Sequence, residues 1–449
     1  MTLLIRVILA AAFASAPLIV TPKAAAITPP RVDDSLLPHP QSPAPPKPTE
    51  QTDPCTIAQK VAPGGDAAGQ LHDLDLRSVW QLTRGAGQTV AVIDTGVSRH
   101  RLLPRLVPGG DYVSSGDGTD DCDGHGTIVA GIVGAAPDSA TADAFSGIAP
   151  EATIIAIRQS STKFSAEDAS GTSGFGDVDT LARAVRTAAD MGATVINVST
   201  VACVPVGTAL DDGPLGAALA YAVDVKNVVV VAAAGNAGAP GLCEHQNPAR
   251  PGRPDWDDVK AVVSPAWYDD YVLTVGSIGP SGAPSEFTLA GPWVDVTAPG
   301  ERVVSLDRDG DGFVAALPTS TGDKPLAGTS YAAPVISGIV ALLRSRSPQL
   351  TAREVMRRIE DTARHPAGGW NPLVGHGVVD TLAAVTGGAT SPADPGHPTV
   401  VPLSRQQPPD GHGARTATRG TVVCLAVVSV IAMTLSVKRL RRPHSSARD

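Results

Sequence analysis

Basic charge is scarce in this 449-residue chain, where 35 Lys and Arg stand against 44 Asp and Glu and the formal net charge is −9. A body this acidic lacks the electrostatic footprint that a phosphate backbone requires, which excludes nucleic acid as a partner. Aromatics are only 4% and charged residues 18%, yet 43% of the chain is hydrophobic, so disorder throughout is excluded; the 46 Gly and 40 Pro carry no collagen period. The five cysteines form no C-x-x-C and sit in no His-rich spacing, which leaves a zinc site without ligands. There is no H-E-x-x-H, no G-x-S-x-G around a candidate serine, and only one D-[ST]-G, at 94–96. Zincins and elbow esterases therefore lose support, and an aspartic protease lacks its second half. No cofactor and no metal is expected.

The charge is unevenly placed. Residues 1–26 hold only Arg6 and Lys23, residues 438–449 hold five basic residues against Asp449, and the 27–437 body carries −15. Arg6, an apolar run from Val7 to Val20 and small residues at Ala24 and Ala26 read as a secretory signal, with the mature chain beginning near Ile27. Thr421 to Val437 is a run of 17 uncharged residues followed directly by KRLRR. That pattern predicts a transmembrane helix with its basic tail in the cytoplasm and the body outside. An exported body permits disulfides. With Cys424 inside the expected span, the four remaining cysteines allow three pairings.

Between these ends, residues 27–54 contain nine prolines and read as an extended arm, taken as an extension over 27–77. From residue 78 to 388 the texture changes. Apolar runs at 90–93, 153–157, 194–198, 228–233, 272–275 and 294–297 read as strands buried on both faces. Helical patterns at 178–191, closed by Gly192, and at 215–224 lie between them. The alternation predicts an α/β, doubly wound, mostly parallel sheet whose site residues lie at the strands' carboxyl ends. A second Pro-rich linker follows at 389–420.

Four candidates occupy such positions. Asp94 follows the strand VAVI and is placed to orient a partner. His125 lies in DGHGTIVAG, its ring uncrowded by Gly124 and Gly126, with an apolar helix after it. Ser330 lies in GTSYAAP, before an apolar helix at 335–343. Serine at a helix start is ordinarily a cap, but if Ser330 were the cap, Pro334 would delete the first i to i−4 bond, and broken local rules gather at functional sites. The helix start also offers free N–H groups for an oxyanion. Asn236 ends the run VVVVAAAGN, where a turn-forming role competes with an oxyanion donor. The order Asp, His, Ser is that of subtilisin.

VAVIDTGV at 90–97, DGHGTIVAG at 123–131, AAAGN at 232–236 and GTSYAAP at 328–334 together resemble the subtilisin-like serine proteases over about 78–385. The family often carries a second histidine where this chain has Ile128. The resemblance implies that Asp94 polarises His125, His125 deprotonates Ser330, and Asn236 with the Ser330 N–H binds the oxyanion. It also implies that Val198, Ser199 and Thr200 form an edge that pairs with substrate backbone. The whole arrangement, from signal and arm to stalk, span and tail, is similar to the mycosins, membrane-anchored proteases of type VII secretion systems. That likeness implies secreted protein substrates, membrane components of the secretion complex as partners, and an extracytoplasmic (periplasmic) catalytic domain held to the cytoplasmic membrane. It leaves open the alternative of a mainly structural subunit with dispensable proteolysis. It also implies an arm wrapped on the catalytic domain, and with that goes the expected pairing Cys55 to Cys122 and Cys203 to Cys243.

Two features stand outside this picture. The polar stretch 158–177 is long for a loop and is expected to border the cleft. Asp307, Asp309 and Asp311 with Gly312 match half of a calcium loop, but Pro318 stands where a glutamate is needed, so a solvated turn is expected.

Overall fold

The computed structural model describes residues 27–61, 69–138, 145–168, 174–238, 243–319 and 322–387. The expected signal, the 389–420 linker, the 421–437 span and the basic tail lie outside the described residues. Among the described residues no helix is long and apolar enough to cross a membrane.

Fifteen strands are described. From the arm come β1 (Thr49–Gln51) and β2 (Gln59–Val61); the body follows with β3 (Thr89–Asp94), β4 (Leu106–Asp111), β5 (Thr153–Arg158), β6 (Phe164–Ala166), β7 (Val195–Val198), β8 (Ala202–Pro205) and β9 (Val229–Ala233). Then come β10 (Ala261–Ser264), β11 (Leu273–Ile278), β12 (Val296–Pro299), β13 (Ser305–Leu306), β14 (Phe313–Thr319) and β15 (Gly322–Pro325). Seven of them form a sheet in the order β12-β11-β9-β7-β3-β5-β4, and every pair within it is parallel. Strands covered on both faces lack alternation, and β7, β9 and β11 are buried at every position.

The sequence pattern missed one strand of this sheet, β4. Its residues LVPGGD include Pro108 and two glycines, its register shifts between Pro108 and Gly110, and it lies at the edge. Proline and a bulge are tolerated at an edge, where they hide the strand signature.

The helices are α1 (Leu76–Val79), α2 (His125–Gly134), α3 (Val178–Asp190), α4 (Gly213–Ala220, continued by a π turn at Tyr221–Val225), α5 (Thr329–Arg346), α6 (Ala352–Thr362) and α7 (Thr381–Thr386). α2 and α5 pack on each other, α5 lying across β7, β9 and β11, while α3 pairs with α4 and covers β3, β5 and β7. α2 and α5 are buried almost all round. α3, by contrast, buries one stripe that includes Leu181, Val185 and Ala188, and opens with a capping box between Asp177 and Thr180.

The arm is tied along its length. The Arg186 guanidinium donates to the Pro38 carbonyl at 3.3 Å, β1 pairs antiparallel with β6, and β2 pairs antiparallel with β14. Between them Cys55 is bonded to Cys122, with Cα atoms 4.6 Å apart. Cys203 and Cys243 are bonded as well, at 5.4 Å between Cα atoms.

Candidate active site

Three of the sequence candidates meet at the carboxyl side of the sheet. Asp94 is the last residue of β3, His125 the first of α2, and Ser330 the second of α5. His125 Nδ1 lies 2.7 Å from Asp94 Oδ1, and His125 Nε2 lies 3.0 Å from Ser330 Oγ. The Thr95 N–H also donates to Asp94 Oδ1, at 2.8 Å. The carboxylate is fully buried while the imidazole keeps 28% exposure. A relay of this kind passes a proton from a hydroxyl to an imidazole whose tautomer is fixed by a carboxylate.

Two glycines make the approach possible. A Cβ on Gly126 would strike the Gly96 carbonyl and sit 3.1 Å from Asp94 Cβ, so any side chain there would push the α2 start away from β3. A Cβ on Gly328 would stand 3.1 Å from Ser330 Oγ and 3.6 Å from Asn236 Nδ2, filling the space between nucleophile and amide.

α2 begins at Gly124 without a side-chain cap of its own. Asp121 supplies the missing acceptor, taking the Gly124 N–H at 2.7 Å, the Thr127 N–H at 2.8 Å, the Thr127 hydroxyl at 2.7 Å and the Thr95 hydroxyl at 2.8 Å. A carboxylate at this end also complements the helix dipole. Burial pushes the Asp121 carboxyl up to about 6, against the pull of those hydrogen bonds. For His125, burial draws the imidazole down, but the Asp94 charge and hydrogen bond, with Asp121 and Asp123 behind, outweigh it and hold the ring above its ordinary value. Tyr331 packs its ring on His125 with centroids 5.0 Å apart; burial, then the charges of Asp94 and Asp121, raise its hydroxyl and keep it neutral.

Asn236 follows β9. Its Oδ1 accepts from the Thr329 N–H at 3.0 Å and the Thr329 hydroxyl at 3.1 Å, and that hydroxyl accepts from the Gly235 N–H at 3.2 Å. With its oxygen held from two directions, the amide directs Nδ2 toward Gly328 beside the Ser330 hydroxyl.

The segment 198–200 leaves β7 beside this constellation. Thr329, not Ser330, opens α5, with Gly328 at the cap and no side-chain cap bond. The helix therefore starts six residues before the apolar run alone indicates, and Pro334 lies inside it. Sequence reading missed Asp121, Thr329 and Tyr331; the acids crowded into DDCDGHG were the available signal for the first.

Of the other two features, the 158–177 stretch touches the relay, the Gln159 N–H donating to the Asp94 carbonyl at 2.8 Å, and the aspartate turn lies apart from it. The 158–177 stretch contains β6, and Ser161 and Thr162 hydrogen-bond Asp123, two residues before His125. In the aspartate turn, Lys60 Nζ lies 3.1 Å from Asp307 and 3.8 Å from Asp309, and Arg101 reaches Asp311 at 2.7 Å. Those acids are met by the chain's own cations.

Residues 85–377 match the subtilase family (Peptidase S8). The chain is 54% identical to mycosin-4 of Mycobacterium tuberculosis (strain ATCC 25618 / H37Rv), covering 97% of each. Among solved structures it is similar to the MycP3 protease of the type VII (ESX-3) secretion system, at 44% identity and a TM-score of 0.73, covering 80% of this chain and 99% of that one. A chain in the periplasmic assembly of the ESX-5 inner membrane complex is similar at 42% identity and a TM-score of 0.75, covering 85% and 100%. A serine-protease fold, the relay it carries and near full-length kinship point the same way: the chain belongs to the subtilase family of serine proteases and, within it, to the mycosins.

Proposed function

We propose that this serine endopeptidase cuts exported proteins at a membrane-held type VII secretion complex and that it also stabilises that complex. The observation that carries the reading is the continuous hydrogen-bonded path from Asp94 through His125 to Ser330. Asp94 keeps His125 in the tautomer whose Nε2 accepts a proton. His125 takes the Ser330 proton as Oγ adds to the substrate carbonyl. The oxyanion forms against Asn236 Nδ2 and the Ser330 N–H, a backbone donor in the first turn of α5. His125 then protonates the leaving amine, and water hydrolyses the acyl-enzyme by the same path. Val198, Ser199 and Thr200 offer backbone groups that pair with an extended substrate.

The membrane part of the reading rests on the sequence, whose uncharged run at 421–437 followed by KRLRR supports a span with the basic tail in the cytoplasm. The periplasmic assembly that contains a similar chain supports placing the body on the outer side. That similarity also favours the second reading, a subunit whose main contribution is structural. The test is to replace the chain by its Ser330→Ala form in a producing cell and follow both substrate processing and complex integrity. Unprocessed substrate with an intact complex is expected. Normal processing would overturn the protease reading, and a complex that survives deletion of the whole chain would overturn the stabilising one.

A further inference from the structure

Pro334 lacks the N–H that an α-helix directs at the carbonyl four residues back, and that carbonyl belongs to Ser330. It does not go unpaired. The Ser199 hydroxyl donates to the Ser330 carbonyl oxygen at 2.9 Å. Ser199 Oγ in turn accepts from Asn197 Nδ2 at 2.9 Å, and Asn197 Oδ1 accepts from the Ser337 hydroxyl at 2.8 Å. Ser199, Asn197 and Ser337 are all buried. Ser337 stands seven residues after Ser330, two turns along the same face of α5.

We propose that Ser199 is a positioning residue for the nucleophile, its hydroxyl replacing the helical bond that Pro334 removes. The inference rests on the protease reading above and deepens it. A helix that kept its own bond at this carbonyl would fix Ser330 only relative to α5. The exchange fixes it instead to β7, which pairs directly with β3, the strand that ends in Asp94. The nucleophile and the carboxylate that orients its base are thereby referred to one sheet. Asn197 and Ser199 each accept one bond and donate the next, so the chain Ser337, Asn197, Ser199, Ser330 is polarised in one direction and each member aligns the next. Ser199 differs here from its part in substrate pairing, which uses its backbone.

The proline supplies its own control. In a Pro334→Ala form, residue 334 regains an N–H that can reach the Ser330 carbonyl without Ser199. The test measures second-order fluorophosphonate labelling rates, with melting temperatures alongside, on the full-length chain and its Ser199→Ala, Ser199→Thr, Pro334→Ala and Ser199→Ala/Pro334→Ala forms. Loss of one buried hydrogen bond to the carbonyl predicts a labelling rate lower by roughly tenfold for Ser199→Ala. Ser199→Thr, which keeps the hydroxyl, should label faster than Ser199→Ala. Adding Pro334→Ala to Ser199→Ala should restore most of the loss, a recovery that a general packing defect at residue 199 would not show. Equal rates for the unmodified and Ser199→Ala chains, or a double form no faster than Ser199→Ala alone, would overturn the proposal while leaving the protease reading intact. Absence of labelling in the unmodified chain would instead remove the reading on which it stands.

Discussion

Replacing Asn236 by alanine should slow the acylation of Ser330 without loosening the fold, and the structure shows which neighbour sets the amide. The Asn236 oxygen is held by both the N–H and the hydroxyl of Thr329, and its Nδ2 has no partner among the described residues. In the proposed mechanism the amide is a preset donor whose bond is made as negative charge develops on the substrate oxygen. Its loss should cost about 2.7–4 kcal/mol in the transition state, or about 10²–10³ in rate, the magnitude known for loss of an oxyanion donor in subtilisin itself. Ground-state binding should change little. Thr329→Val provides the internal comparison, since it keeps the N–H anchor but removes the hydroxyl that Gly235 N–H and Asn236 Oδ1 share. That form should fall between the other two in rate, yet lose more stability than Asn236→Ala, because a buried Gly235 N–H without an acceptor costs about 1–3 kcal/mol. The assay is the rate of covalent labelling with a fluorophosphonate, read beside a melting curve. An Asn236→Ala chain that labels as fast as the unmodified one, or a Thr329→Val chain that labels more slowly than Asn236→Ala, would refute this account of the amide.

Three further outcomes are expected. His125 accepts a proton only when neutral, and Asp94 holds its pKa above the ordinary 6.5; the labelling rate should therefore fall as pH drops through a midpoint above that value, and a midpoint below it would contradict the coupling. Asp269 is pushed up to about 7 by burial, then by the charges of Asp270 and Glu360, and Asp295 is raised by burial together with Asp269 and Glu360. Such a carboxyl holds its proton more tightly folded than unfolded, so its contribution to stability is whole below the unfolded value and is lost as pH rises toward 7. Asp269→Asn should thus leave Tm little changed near about pH 4 and raise it near about pH 8, and a lower Tm at the higher pH would show that the charge is compensated. Gly328→Ala places a methyl group 3.1 Å from Ser330 Oγ at a φ that any residue adopts; labelling should slow while Tm holds, and unchanged labelling would mean that the space between Ser330 and Asn236 is roomier than described.

Most of the sheet was legible because strands covered on both faces have a plain signature. VAVI, TIIAI and VVVVA can be little else between turn residues. β4 was not legible, since Pro108 and the glycines are permitted only by its place at the edge, which no local pattern reveals. Asp94 could be singled out by its place after VAVI, His125 by its flanking glycines and Ser330 by Pro334 four residues on. The start of α5 could not, because its cap is a glycine without a side-chain bond and an internal proline reads as a boundary. Long-range chemistry was also hidden. Asp121 closing the α2 start, Lys60 among the aspartates at 307–309, and the Ser199 hydroxyl on the Ser330 carbonyl join residues whose sequence neighbourhoods give no hint of one another. The polar β1, with the sequence TEQ, shows no strand pattern at all and exists because β6 offers an edge.

The central claim is that Ser330 is a nucleophile activated by His125. Fluorophosphonate treatment of the full-length chain, followed by peptide mass mapping, tests it most directly, with Ser330→Ala and His125→Ala forms beside it. A single adduct on Ser330, absent from the first variant and strongly slowed in the second, is the predicted result. An adduct on another serine, or equal labelling of Ser330 with His125 removed, would contradict the account.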